Sequence, residues 1–225
     1  MPDPRQAPAR VLNERQAQIA GAARALLDAE GPEALTMRRV AGVLGIKAPS
    51  LYKHLPDKAA LEALVVAAGF AELAAALADA AALADAATAA DRATAADRAT
   101  AADKAHRGDA ADAAGKLTAI AGAYRAYAVA HPHLYRLMNY QPLRRDLLPD
   151  GLEARAAQPL AEAAGYDEAR ARAMWAFAHG MVSLEIDGRF PPRADLDEAW
   201  RAGLAAFAPS AALAPREPQA GHITG

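Results

Sequence analysis

The sequence predicts an all-α fold, on three observations. Ala, Leu, Arg and Glu, the strong helix formers, dominate its 225 residues. Val and Ile number only 12, too few for the β-branched strands of a sizeable sheet. Where apolar residues recur, they do so with helical spacing. The apolar share of 53% overstates the core, because 67 of those residues are Ala and only 53 carry larger side chains. That supply suits a helical domain or two. The absence of Cys excludes a disulfide scaffold, a thiolate zinc site and a cysteine nucleophile. No run approaches the roughly 18 large apolar residues of a membrane span. The opening MPDPRQAPAR lacks the apolar stretch of a secretory signal. The expectation is a cytoplasmic protein with no membrane partner.

The elements follow in order. Residues 1–12 carry three Pro and read as a disordered arm. Asn13 can cap a first helix, with Ile19, Ala23, Leu26 and Leu27 on one face. Gly31-Pro32 stops it, since Gly can take the left-handed position beyond a helix and Pro cannot continue one. Thr36 caps a second helix, Met37 to about Leu44, which Gly45 ends. A third runs from about Ala48 to Leu55, with Pro49 tolerated in its first turn. Asp57 caps a fourth, with Leu61, Leu64, Val65 and Ala68 turned inward.

From residue 76 the chain repeats every six residues, ALADAA giving way to TAADRA. A six-residue step turns a helix by about 240°. The repeated Asp therefore spirals round and leaves no apolar stripe, and Asp91, Arg92 and Asp97 miss the i+3 and i+4 spacings of helix ion pairs. The insert at about 82–112 is expected to be a spacer, either a helical extension fraying near Gly108 or a mobile linker, the first favoured. Periodicity returns with Leu117, Ile120, Tyr124 and Tyr127, and His131-Pro132 interrupts it. A helix is expected over about Leu152–Ala164, another from the cap Asp167 to about Asp187, and a last one from Asp195 through Phe207. Residues 209–225 read as a disordered tail.

The stretch LTMRRVAGVLGIKAPSLYKHLPDK, Leu35–Lys58, carries the chemistry. Val40, Leu44, Leu51 and Leu55 point inward from two short helices, and Ala41 is small where they cross. That is the layout of a helix-turn-helix, whose second helix enters the DNA major groove. Lys47, Ser50, Tyr52, Lys53 and His54 can donate hydrogen bonds to phosphates or base edges. Thr36, Arg38, Arg39 and Lys58 stand at helix starts, where backbone N–H groups favour anions. Residues 1–58 carry +3 and the remainder −5, which agrees with a polyanion partner at one end. The same spacing also fits an ordinary antiparallel helix pair with a solvated polar face.

A resemblance separates the two. Ile19-Ala-Gly-Ala-Ala-Arg-Ala-Leu26, Glu30-Gly31, Leu35-Thr36, Val40-Ala41, Leu44-Gly45-Ile46, Leu51-Tyr-Lys-His-Leu55 and Asp57-Lys-Ala-Ala-Leu61 resemble, in order, the TetR family of one-component transcriptional regulators. The resemblance implies a three-helix DNA-binding domain over residues 13–58. It also implies a helical ligand-binding and dimerisation domain over 59–208. DNA contacts carry over onto Thr36, Arg38, Lys47, Ala48, Pro49, Ser50, Tyr52, His54 and Lys58. Tyr52 and Lys58 are implied phosphate contacts and residues 47–50 base readers. Tyr127 through Met138 and Trp175-Ala-Phe-Ala-His179-Gly180 resemble a subgroup marked by a Trp…His-Gly ligand domain. The period-six insert departs from the family pattern.

What the family implies is a homodimer on a near-palindromic operator, released by a small-molecule effector. A TetR-like activator, a ligandless DNA binder and a helical interaction module with no DNA partner are the alternatives. Tyr124, Tyr127, Tyr135, Met138, Met174, Trp175, Phe177 and His179 are candidate pocket residues, apolar and aromatic with a few polar tips. Core packing is the plain alternative for most of them, and for His179 above all. Met181, Val182, Ile186, Trp200, Leu204 and Phe207 are candidate dimer contacts. His131-x-His133 lacks a carboxylate or thiolate at partner spacing, so no metal or cofactor is expected. No nucleophile elbow or phosphate-binding Gly loop points to an enzyme.

Overall fold

The computed structural model describes residues 14–95 and 102–207, and within them every regular element is helical. Helices α1 (Glu14–Glu30), α2 (Met37–Val43) and α3 (Ala48–Tyr52) form the N-terminal unit. Helices α4 (Lys58–Ala95), α5 (Ala102–Ala130), α6 (Pro132–Asn139), α7 (Leu152–Ala163), α8 (Glu168–Ile186) and α9 (Leu196–Ala205) form the larger bundle. Asn13, the arm and the tail lie outside the described residues.

Local chemistry sets most helix starts. The Thr36 hydroxyl accepts from Arg39 N at 3.3 Å, Asp57 from Ala60 N at 2.8 Å, Asp167 from Arg170 N at 3.0 Å and Asp195 from Glu198 N at 2.9 Å. Each satisfies one of the amide donors left free in a first turn. Gly45, with φ of 66°, makes the turn between α2 and α3, and Ile46 N donates to Ala41 O at 3.0 Å across it. Only Gly takes that backbone region without strain. Pro132 opens α6 immediately after α5 ends, which is the interruption expected at His131-Pro132.

One core runs through both units. Ile19, Leu27, Leu35, Val40 and Leu51 are fully covered in the first, and Leu61, Val65, Leu134, Tyr135, Met174 and Val182 in the second. Helix α6 lies against both α1 and α4. Gly69 of α4 is where α6 comes closest: a Cβ there would stand 2.9 Å from Leu134 and from Met138 Sδ. Across the same junction Arg24 of α1 bonds Glu72 of α4 at 2.8 Å, and the Tyr127 hydroxyl of α5 donates to Glu72 at 3.0 Å. Burial first, then the Glu72 charge, pushes the Tyr127 phenol up.

The period-six insert departs from expectation. The helix does not run on to fray near Gly108. It reaches Ala95, and a second helix begins at Ala102, with Gly108 inside it. The pairs Arg92–Asp112 and Lys116–Asp85 nest, so α4 and α5 are antiparallel. Charges that miss each other along one helix therefore meet across two. Among the residues whose burial is described, Ala81 is the last buried one of α4 and Leu117 the first of α5, while Leu83 is 72% exposed. Helix α4 has the length and apolar composition to cross a membrane, yet half of that stretch is packed inside the protein.

Candidate nucleic-acid interface and effector site

The N-terminal unit displays a polar ridge. Leu51 is fully buried and pins α3 to the core, so its neighbours face outward. Lys47, Pro49, Tyr52, Lys53 and His54 are exposed, and Ala48 and Ser50 are half-buried. Tyr52, 52% exposed, is an aromatic ring left in solvent beside two lysines. Arg38 is exposed at the start of α2, and Lys58, which starts α4, pairs loosely with Glu62 at 3.2 Å. Thr36 is half-buried; its hydroxyl oxygen accepts the cap bond from Arg39 N, and its O–H can still donate.

Arg39 stands apart from this group. Its guanidinium forms a two-pronged bond to Glu30, at 2.7 and 2.5 Å, and so holds the Glu30 carboxylate below its usual range. The helix-start position gave Arg39 to an anion, and the structure supplies one from the chain itself. Sequence spacing missed Arg15 and Gln18, which line a shallow cleft with Glu14 and His54 between the start of α1 and the end of α3. Nothing local in the sequence ties residues so far apart to one another.

The pocket candidates divide. Tyr124 and Tyr135 are buried, their hydroxyls 2.9 Å apart, and Tyr135 also meets His179 Nδ1 at 2.6 Å. His179 stacks between Tyr135 and Trp175, at ring separations of 5.7 and 5.6 Å. Tyr140 stands edge-on to it at 6.5 Å. Burial, opposed by the hydrogen bond to Tyr135, pushes the Tyr124 phenol up. Burial, reinforced by Tyr124, does the same for Tyr135, and burial pushes the His179 imidazole down. Met138 and Met174 are buried. Tyr127 faces Glu72 at the junction. Phe177 turns to the other side of α8, onto Trp200, Phe207 and Gly203. Ser183, one turn beyond His179, lies near Tyr135, and its buried hydroxyl completes no hydrogen bond among the described residues.

The six dimer candidates divide. Val182, Trp200 and Leu204 are buried within one protomer and serve its own core. The indole of Trp200 packs on Phe177 and beneath the Arg125 guanidinium, which also bonds Glu185 and Asp197. Met181, Ile186 and Phe207 remain half-buried. Large apolar groups at helical spacing serve a protomer core and a subunit seam equally well, and sequence alone does not separate them. Among the described residues no cluster of His, Asp and Glu is arranged to hold a metal ion.

The arrangement is that of a helical protein with a small three-helix head, polar on the exposed side of α3, on a larger bundle. Residues 19–65 match the profile of bacterial regulatory proteins of the tetR family, and residues 117–207 match that of the tetracyclin repressor-like C-terminal domain. The chain belongs to the TetR family of transcriptional regulators, with an N-terminal DNA-binding domain and a C-terminal ligand-binding domain. These are the domains of a transcriptional regulator.

Among solved structures, a protein of unknown function from Rhodococcus sp. RHA1 is similar with a TM-score of 0.61 and 21% identity, over 85% of this chain and 92% of that one. A possible TetR family transcriptional regulator from Streptomyces coelicolor A3(2) gives 0.55 and 18%, over 85% and 96%. A single-substitution variant of TetR from Acinetobacter baumannii AYE, in complex with minocycline, gives 0.52 and 19%, over 84% and 91%. At these identities the likeness speaks for the fold. A search of curated protein sequences finds no match.

Proposed function

We propose that this protein is a homodimeric repressor that binds a near-palindromic operator and is released by a small molecule. The observation that carries the reading is the ridge on α3. A helix anchored by Leu51 presents Lys47, Ser50, Tyr52, Lys53 and His54 outward, with Arg38 and Lys58 at flanking helix starts. Lys47, Ala48, Pro49 and Ser50 are the base-reading positions, and Tyr52, His54, Lys58, Arg38 and Thr36 hold phosphates. Two copies would set their α3 helices in successive major grooves, about 34–36 Å apart. The subunits pair through the outer faces of α8 and α9, where Met181, Ile186 and Phe207 are half-buried and Leu184 is exposed. The effector binds near Tyr135 and His179. It must favour the released conformation by differential affinity, since equal affinity would shift nothing. Helix α6 carries residues of that site and packs on α1 and α4, so a shift of α6 reaches the reading head.

Lys58→Ala and Ser50→Ala test the assignment together. Loss of one phosphate contact lowers the salt slope of binding by about 1 on every sequence. Ser50→Ala instead changes preference at one base position per half-site. Identical losses from both variants on all duplexes would contradict the division of roles.

A further inference from the structure

The hydrogen-bond chain beside His179 selects the chemical class of the effector, an inference that rests on the effector reading above and deepens it. Both tyrosines are protonated at neutral pH, because burial raises both phenols. The Tyr124 hydroxyl is buried, and the Tyr135 oxygen is its hydrogen-bond partner at 2.9 Å. A buried phenol proton needs an acceptor, so the Tyr124 proton goes to Tyr135. Tyr135 then directs its own proton to His179 Nδ1, 2.6 Å away. A neutral imidazole that accepts at Nδ1 carries its proton on Nε2. Among the described residues nothing bonds that Nε2–H.

The surroundings restrict what it can meet. Trp175 is 49% exposed and Tyr140 45%, so two aromatic rings lie open beside the imidazole. The charged groups nearby are already engaged. Arg136 bonds Asp187, whose charge also faces Arg189, and Arg125 bonds Glu185 and Asp197. Burial is the sole influence that moves His179 from its ordinary value. A charged ligand would lose hydration here and find no counter-charge. A flat conjugated ring would gain area against Trp175 and Tyr140.

We propose that the Tyr135–His179–Trp175 stack binds an uncharged, planar conjugated molecule with a carbonyl-type acceptor, lying on the open rings of Trp175 and Tyr140 and accepting from His179 Nε2–H. The Ser183 hydroxyl is a second polar anchor one turn along α8.

Four probes of similar size test this on the full chain by titration calorimetry. 2-Acetylnaphthalene is planar, neutral and carbonyl-bearing; 2-naphthoate is its anionic counterpart; naphthalene lacks the acceptor; 2-decalone lacks planarity. The ketone is expected to bind at least about tenfold tighter than each of the others, the margin of one good hydrogen bond or one stacked ring. His179→Phe keeps a ring in the stack, and it should erase the ketone's advantage over naphthalene. The comparison on the unaltered protein stands even if that variant folds poorly. Equal or tighter binding of 2-naphthoate or 2-decalone, or no binding of the ketone up to its solubility, overturns the proposal. Release of bound DNA by some other class of compound would contradict the ligand class and leave the effector reading standing. A DNA affinity that no small molecule alters would contradict the effector reading itself.

Discussion

Removing a single oxygen, by Tyr135→Phe, probes the polar centre of the larger domain. The ring is 1% exposed and Phe fills the same volume, so no cavity opens. Two hydrogen bonds disappear, to the Tyr124 hydroxyl at 2.9 Å and to His179 Nδ1 at 2.6 Å. Each is worth about 0.5–1.5 kcal/mol net, and Tyr124, itself buried, is left with a proton and no acceptor. The expected loss is about 2 kcal/mol. For a chain of this length that corresponds to a fall in melting temperature of about 4–8 °C. Thermal unfolding followed by circular dichroism measures it. Helical content at low temperature should be unchanged, since the bonds are between side chains. An unchanged or higher melting temperature would refute the chain of donors, and with it the placement of the His179 proton.

Three further outcomes are expected. Burial holds His179 below its ordinary value, so the unfolded chain takes up the proton more readily than the folded one. The stabilising contribution of neutral His179 is present above about pH 6.5 and is lost as pH falls below it. Melting temperatures of the wild type and His179→Phe should therefore converge between about pH 7.5 and 5.5, and parallel curves would count against it. Deleting residues 88–105 shortens the α4–α5 extension where, among the described residues, no large side chain is buried, at the cost of the exposed Arg92–Asp112 pair. Exposed pairs contribute about 0–1 kcal/mol, so fold and DNA affinity should survive, and a collapse in melting temperature would refute a spacer role. Glu30→Gln weakens the two-pronged hold on Arg39. Titration on duplex should then show tighter, more salt-dependent binding if Arg39 swings to a phosphate, and unchanged binding if its role is to join α1 to α2.

How much of this could be read from the sequence depended on how local the chemistry is. The caps at Thr36, Asp57, Asp167 and Asp195 and the turn at Gly45 are fixed by residues within a few positions of one another, and they are where the sequence places them. The ridge on α3 was legible for the same reason, because Leu51 and its neighbours share one short helix. The end of α4 at Ala95 and the start of α5 at Ala102 were not, since a six-residue repeat leaves no apolar stripe to mark either. Arg39 met Glu30 and Arg24 met Glu72 only through helix crossings. Val182, Trp200 and Leu204 carry the same apolar signal whether they face a partner or their own protomer. The Tyr124–Tyr135–His179 chain joins three helices, so composition flagged its members but not their order.

A hydroxyl-radical footprint of the full chain on a duplex selected from genomic fragments, with the mass of the complex measured alongside, tests a DNA-reading dimer most directly. Two chains per duplex and two protected half-sites about 34–36 Å apart between centres are predicted, with protection that fades steeply as salt rises. A strictly monomeric protein, or one that retains no duplex even at low ionic strength, would contradict it.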